Sequence, residues 1–164
     1  MLGVINEKNF YAYVIEFKEG ATIKELLFNS NHIFSSQEIF NIGVKLLDII
    51  KYLHSNNIIH GDIGISNTVI KNENLSLIDF GLARNAANDN IHYNIDFSYF
   101  GDFLLYLIYS SFKPSKTFKQ IPWYDELPID NHQKLFIKKL LGLEKNYNDI
   151  NEVYSEFIKY FNKL

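Results

Sequence analysis

"IIHGDIGISNTVI", Ile58 to Ile70, is the stretch on which the reading of the chain turns. Apolar residues crowd both ends, while the middle carries His60, Gly61 and Asp62 in a row and Asn67 five positions after the acid. Asp and Asn favour turns, so the plain reading is a loop between two buried segments. A second acid changes that. "TVIK", "NEN" and "LSLID" read as strand, turn and strand, and they lead to Asp79-Phe80-Gly81. Such a hairpin returns Asp79 to the side of Asn67. Two oxygen ligands, from Asn67 and Asp79, suit Mg²⁺, which takes carboxylates together with phosphate oxygens and water. Asp62 is then left to orient a hydroxyl and accept its proton. Phosphoryl transfer needs this arrangement, because its catalysis is mostly positioning and charge neutralisation.

Upstream, "NFYAYVIEF" (Asn9 to Phe17) is β-branched and aromatic and reads as a strand, with "LGVINE" as its hairpin partner across a turn at Lys8-Asn9. Thr22 with Glu25 forms a capping-box pattern that opens a short helix over "IKELLF". Ser35 with Glu38 does the same for a longer helix, in which Ile39, Phe40, Ile42, Leu46, Leu47, Ile49, Ile50 and Leu53 recur at helical spacing up to Asn56-Asn57. Downstream, "ARNAANDNIHYN" is polar and turn-like. "IDFSYFGDFLLYLIYSSF" is apolar on nearly every face, as a buried central helix would be. "HQKLFIKKLLGL", capped by Asp130 with Gln133, and "DINEVYSEFIKYFNKL" are amphipathic helices. The lysines Lys113, Lys116, Lys119, Lys138 and Lys139 read as solvated faces.

The 164 residues suit one domain with a genuine core, and 47% hydrophobic with 16% aromatic content is globular rather than disordered. A net charge of −3 argues against a nucleic-acid partner. Arg84 is the only arginine, so bidentate phosphate recognition is scarce. The absence of cysteine excludes disulfides and thiolate-bound metals. No apolar run reaches membrane-spanning length, and the N-terminal residues lack the basic-then-apolar pattern of a leader. The expectation is a cytoplasmic protein with no membrane partner.

"HGDIGISN" followed by "LIDFGLAR" resembles the catalytic loop and metal-binding motif of eukaryotic-like protein kinases. The resemblance implies ATP and Mg²⁺ as cofactors, Asp62 as catalytic base, and Asn67 and Asp79 as the Mg²⁺ ligands. "YVIEFKEG" is similar to the strand and hinge that hold adenine, with Ile15 as gatekeeper and the backbone of Glu16 and Lys18 facing the base. Val69 is similar to the apolar floor under the ring. "DFSYFG" resembles the start of the large-lobe central helix, where Asp96 would accept hydrogen bonds from the catalytic-loop backbone. His60 reads as a packed structural histidine and Phe80 as core.

The implied fold is α+β and mostly α: a kinase-like large lobe over residues 18–164, with a small-lobe remnant and hinge strand over 1–17, in a single domain. The departures shape the functional expectation. No Gly-rich phosphate loop, strand lysine or helix glutamate precedes the hinge. Gly61 replaces the common arginine, Gly64 stands where a phosphate-contacting lysine is usual, and the segment from Gly81 to Asp96 is short. The leading expectation is ATP-dependent phosphoryl transfer to a protein serine or threonine, weak or dependent on a partner. The alternatives are a pseudokinase acting as a binding module and a small-molecule kinase. The expected partners are a protein substrate and a chain covering the small-lobe face, a second copy included.

Overall fold

The structure, a computed structural model, describes residues 2–8, 10–86, 93–113 and 121–162. It is α+β and mostly α. Local rules set the helix starts. Helix α1 (Ile23–Phe28) begins where Thr22 Oγ1 accepts from the Glu25 amide at 3.1 Å and Glu25 Oε2 accepts from the Thr22 amide at 2.8 Å. This reciprocal pair satisfies two amides that the first helical turn would leave open. The same device, Ser35 with Glu38, opens α2 (Ser36–Ser55). The central helix α3 (Asn94–Tyr109) and the short α4 (Trp123–Glu126) have no side-chain cap. Asp130 with Gln133 opens α5 (Asn131–Leu140), and Asp149 caps α6 (Ile150–Phe161).

The core sits where α2 crosses α6 and α3 meets α5. Leu46, Leu47 and Ile50 of α2 are fully buried with Phe100, Phe103 and Leu104 of α3, Phe136 of α5, and Val153 and Phe157 of α6. The close approach of α2 to α6 depends on Gly43, where a Cβ would stand 2.2 Å from Cζ of Phe157. The expectation that α3 is apolar all round needs correcting: Tyr99, Asp102 and Tyr106 recur at helical spacing and are exposed. The lysine expectation also shifts. Lys139 binds Glu156 at 2.9 and 3.1 Å, and Lys138 lies 4.0 Å above the Tyr124 ring. Lys116 and Lys119 lie outside the described residues.

The strands form small antiparallel sheets. One joins β3 (Ala21–Thr22), β5 (Thr68–Lys71) and β6 (Asn74–Leu77), with β5 in the middle. The β5–β6 turn holds Asn72 at φ 47° and Glu73 at φ 66°, the paired left-handed conformation that suits a two-residue hairpin loop. Another pairs β4 (Ile58–Ile59) with β7 (Arg84–Asn85), so part of the turn-like segment is strand; positions 87–92 lie outside the described residues.

The remaining sheet is β1 (Gly3–Glu7) with β2 (Phe10–Val14), in register from Gly3↔Val14 to Glu7↔Phe10. The turn includes Lys8; Asn9 is outside the described residues. The strand expected to run to Phe17 ends at Val14, and residues 15–19 are irregular. The large apolar side chains from Leu2 to Phe17 are between 39% and 84% exposed, on both faces of the ribbon. No helix among the described residues is long and apolar enough to cross a membrane.

Candidate active site

The loop between β4 and β5 is built around one buried carboxylate. Asp96, in the first turn of α3 and 0% exposed, accepts from the Gly61 amide at 2.9 Å through Oδ1 and from the His60 amide at 3.0 Å through Oδ2. His54 Nε2, at the end of α2, lies 2.8 Å from the same Oδ2. Burying a carboxylate is tolerable only with such partners, and these tie the loop to two helices at once. Gly61 adopts φ +75°, and a Cβ there would press to 3.0 Å from the Leu82 carbonyl, so the turn into Asp62 favours glycine.

His60 is fully buried, as expected of a structural histidine. Its Nδ1 accepts from the Asp62 amide at 3.3 Å, which puts the proton of the neutral ring on Nε2. Burial holds its pKa below the ordinary imidazole value, against the opposing pull of Asp96. Phe80 packs edge-on against this ring with centroids 4.6 Å apart. Phe80 is nevertheless 48% exposed, which corrects its assignment to the core: nothing described lies on its outer face.

Asp62 and Asn67 are brought into direct contact. Asn67 Nδ2 donates to the Asp62 carbonyl at 3.0 Å and to Asp62 Oδ2 at 2.8 Å. Both amide protons are thereby used inside the loop, and among the described residues Asn67 Oδ1 accepts no hydrogen bond. The Ile78 amide donates to the Asn67 carbonyl at 2.9 Å, and Thr68 pairs with Leu77, so the hairpin returns Asp79 to this side. Asp79 stands at φ 62°, and its Oδ1 accepts from the Gly81 amide at 3.1 Å. No cluster of three or more His, Cys, Asp or Glu suited to a metal occurs among the described residues. The donor set is an amide oxygen and a carboxylate, which matches a cation that takes its other ligands from phosphate and water. Gly64, between the two loop residues, faces open space: a Cβ there meets nothing within 4 Å.

The hinge candidates lie beside Val69. Gly20 passes so close to β5 that a Cβ would stand 2.5 Å from the Ile70 carbonyl, and β3 then pairs Thr22 with Val69. Lys71 and Glu19 form an ion pair across the same junction. Glu16, Lys18 and Val69 line a cleft of about 440 Å³ with Phe17 and Ser76. Glu16 and Lys18 are exposed and paired at 2.8 Å, and the Lys18 ammonium holds the Glu16 carboxyl below the usual carboxylate range. Among the described residues their backbone groups make no backbone hydrogen bond.

His54 escaped the reading of the sequence, although a signal was present. It continues the apolar stripe of α2 four positions after Ile50, and a polar residue on a buried stripe demands a partner.

A profile of the protein kinase domain matches residues 1–101. The chain is 38% identical over 140 residues to the probable serine/threonine-protein kinase YbdM of Bacillus subtilis (strain 168), covering 82% of this chain and 54% of that protein. It is 32% identical over 88 residues to the probable serine/threonine-protein kinase mkcF of Dictyostelium discoideum, covering 53% of this chain and 13% of that protein. It is 29% identical over 91 residues to the serine/threonine-protein kinase STY46 of Arabidopsis thaliana, covering 55% and 16%. The chain thus spans about half the length of the first and a small part of the others. The matched profile runs over more than half of the chain and takes in the loop, the hairpin that follows it and the aspartate that holds them, and on that ground the chain belongs to the protein kinase family.

Proposed function

We propose that the chain carries the catalytic half of an ATP- and Mg²⁺-dependent kinase acting on serine or threonine of a protein. The observation that carries this reading is the Asn67 side chain, which spends both its protons on Asp62 and keeps an oxygen free. Asp62 would hold the acceptor hydroxyl and take its proton. Asn67 Oδ1 and the Asp79 carboxylate would hold Mg²⁺, which when bound neutralises phosphate charge. The backbone of Glu16 and Lys18 would face the adenine, with Val69 beneath it. The names of the relatives support serine or threonine as acceptor. A cysteine-free chain accords with a cytoplasmic setting.

The exposed β1–β2 ribbon favours a second element of the proposal: further polypeptide covers this face. A lone two-stranded ribbon is marginal in water, and its free edges invite pairing. A second copy is the simplest cover, because two-fold dimers are the commonest homo-oligomers. The same ribbon is what favours the alternative of a binding module without catalysis.

The deciding experiment is transfer of labelled phosphate from ATP to a panel of protein acceptors, compared with Asp62→Asn. Serine or threonine labelling by the parent chain that the variant loses supports the reading. Equal labelling by both sinks Asp62 as the base, and no labelling of any protein, with or without Mg²⁺, leaves the binding module and the small-molecule kinase.

A further inference from the structure

Helix α3 has two ends with different work. Its first turn holds the catalytic loop through Asp96. Six residues on, roughly 9 Å along the axis, Asp102 and Tyr106 face a groove of about 700 Å³. Leu27 and Phe28 of α1, Ile33 of the α1–α2 loop and Leu105 supply its apolar walls. Phe28, Ile33 and Tyr106 are exposed at its rim, a concentration of large apolar side chains that marks interaction surfaces.

The electrostatics of the groove are one-sided. Among the described residues no lysine or arginine lines it. Two of its other polar groups are engaged with acids: His32 Nε2 lies 2.9 Å from Glu38 Oε1, and the Tyr109 hydroxyl donates to Glu126 Oε2 at 2.6 Å. Asp102 accepts no hydrogen bond and joins no ion pair among the described residues. Its carboxyl is shifted upward by burial alone. An exposed carboxylate at the edge of an apolar groove, with no donor among the described residues, is open to an incoming N–H⁺, which supplies a charge-assisted hydrogen bond. The net charge of −3 favours approach of a cationic segment.

We propose that this groove docks a basic–apolar segment of the acceptor protein, with an aliphatic or aromatic side chain seated between Phe28, Ile33 and Leu105 and a neighbouring lysine or arginine bound to Asp102. The identification of the segment with an acceptor rests on the protein-kinase reading above. Because groove and catalytic loop share one helix, a segment held here would lie at a fixed distance from Asp62.

The test is a nucleotide-free titration of the ¹⁵N-labelled chain with the peptide Gly-Ser-Leu-Lys-Phe-Ser-Gly, and with the same peptide carrying norleucine or glutamate for lysine. The expected result is amide shifts centred on Leu27, Ile33, Asp102 and Tyr106. Affinity should fall about tenfold from lysine to norleucine and further to glutamate, as expected for loss of one charge-assisted contact. Asp102→Asn should bind the lysine and norleucine peptides equally. That variant strands no hydrogen-bond partner, and a denaturant melt checks its fold. Ile33→Lys, at an exposed loop position, should abolish binding of the lysine peptide as a second variant. Shifts elsewhere, no shifts, equal binding of the lysine and glutamate peptides, or a full lysine preference in Asp102→Asn would each overturn the proposal. No phosphate transfer enters the readout. A chain that binds but does not phosphorylate overturns the kinase reading alone, and one that phosphorylates but ignores the peptides overturns the docking alone.

Discussion

The loop from His60 to Asn67 and the ribbon from Gly3 to Val14 are both short, yet they are held in opposite ways. The loop has its amides on a buried carboxylate, its asparagine on its own aspartate, and a fully buried histidine as its inner wall. The ribbon has its internal register and little else, and its apolar side chains face solvent on both sides. The loop is thus secured from below, through His54 of α2 and Asp96 of α3. The ribbon, by contrast, is held mainly by its own strand pairing.

The comparison can be broken at several points, of decreasing size. The largest effect is expected on turnover. Asp62→Asn keeps an oxygen for Asn67 but cannot take a proton, so the rate of transfer should fall about 10²–10⁴-fold while nucleotide affinity holds. Single-turnover rates beside binding isotherms decide it, and a matched fall in both would place Asp62 in binding.

Next is Asp96→Ala, which strands the His60 and Gly61 amides and leaves His54 without its partner. It should lower stability by roughly 2–4 kcal/mol in urea melts, and a variant as stable as the parent would show that the loop is held by something else. Smaller is the pH effect of His60. Its folded pKa lies below the unfolded one, so below about pH 6.5 the unfolded chain binds more protons than the folded one. Stability contributed by the neutral ring is complete above that pH and is lost as pH falls toward the folded pKa. Melts in that window should show this slope reduced in a folded His60→Asn variant, and an unchanged slope would assign it to other groups.

The smallest stability effect belongs to the ribbon. Tyr13→Glu should change the unfolding free energy by no more than about 0.5 kcal/mol, since Tyr13 is exposed, yet it should disperse any dimer seen by light scattering. A parent chain that is monomeric, with ribbon amides as protected from exchange as those of the loop, would erase the contrast.

What was legible in the sequence was local. The three capping boxes involve residues three apart, and the β5–β6 hairpin is signalled by its own turn. The contact of Asp62 with Asn67 lies within one loop, and the hairpin that returns the chain toward Asp79 is equally local. What was hidden depends on distant partners. His54 meets Asp96 from 42 positions away, and Arg84-Asn85 becomes a strand only because Ile58-Ile59 lies beside it. Phe80 looked like core because its chemistry is apolar, but its outer face has no described neighbour. The exposed stripe of α3 was masked by the high apolar content of the whole helix, in which Asp102, beyond the first turn, carried the signal.

The central claim is that Asn67 and Asp79 act together as a cation-dependent nucleotide site above a floor of Val69. Calorimetric titration of ATP into the parent chain and into Asp79→Ala, each with and without Mg²⁺, tests it most directly. The residues of this chain alone should give binding with a dissociation constant on the order of 1 mM that requires Mg²⁺ and is lost in Asp79→Ala. Tight binding indifferent to Mg²⁺, or equal binding by parent and variant, would contradict the account.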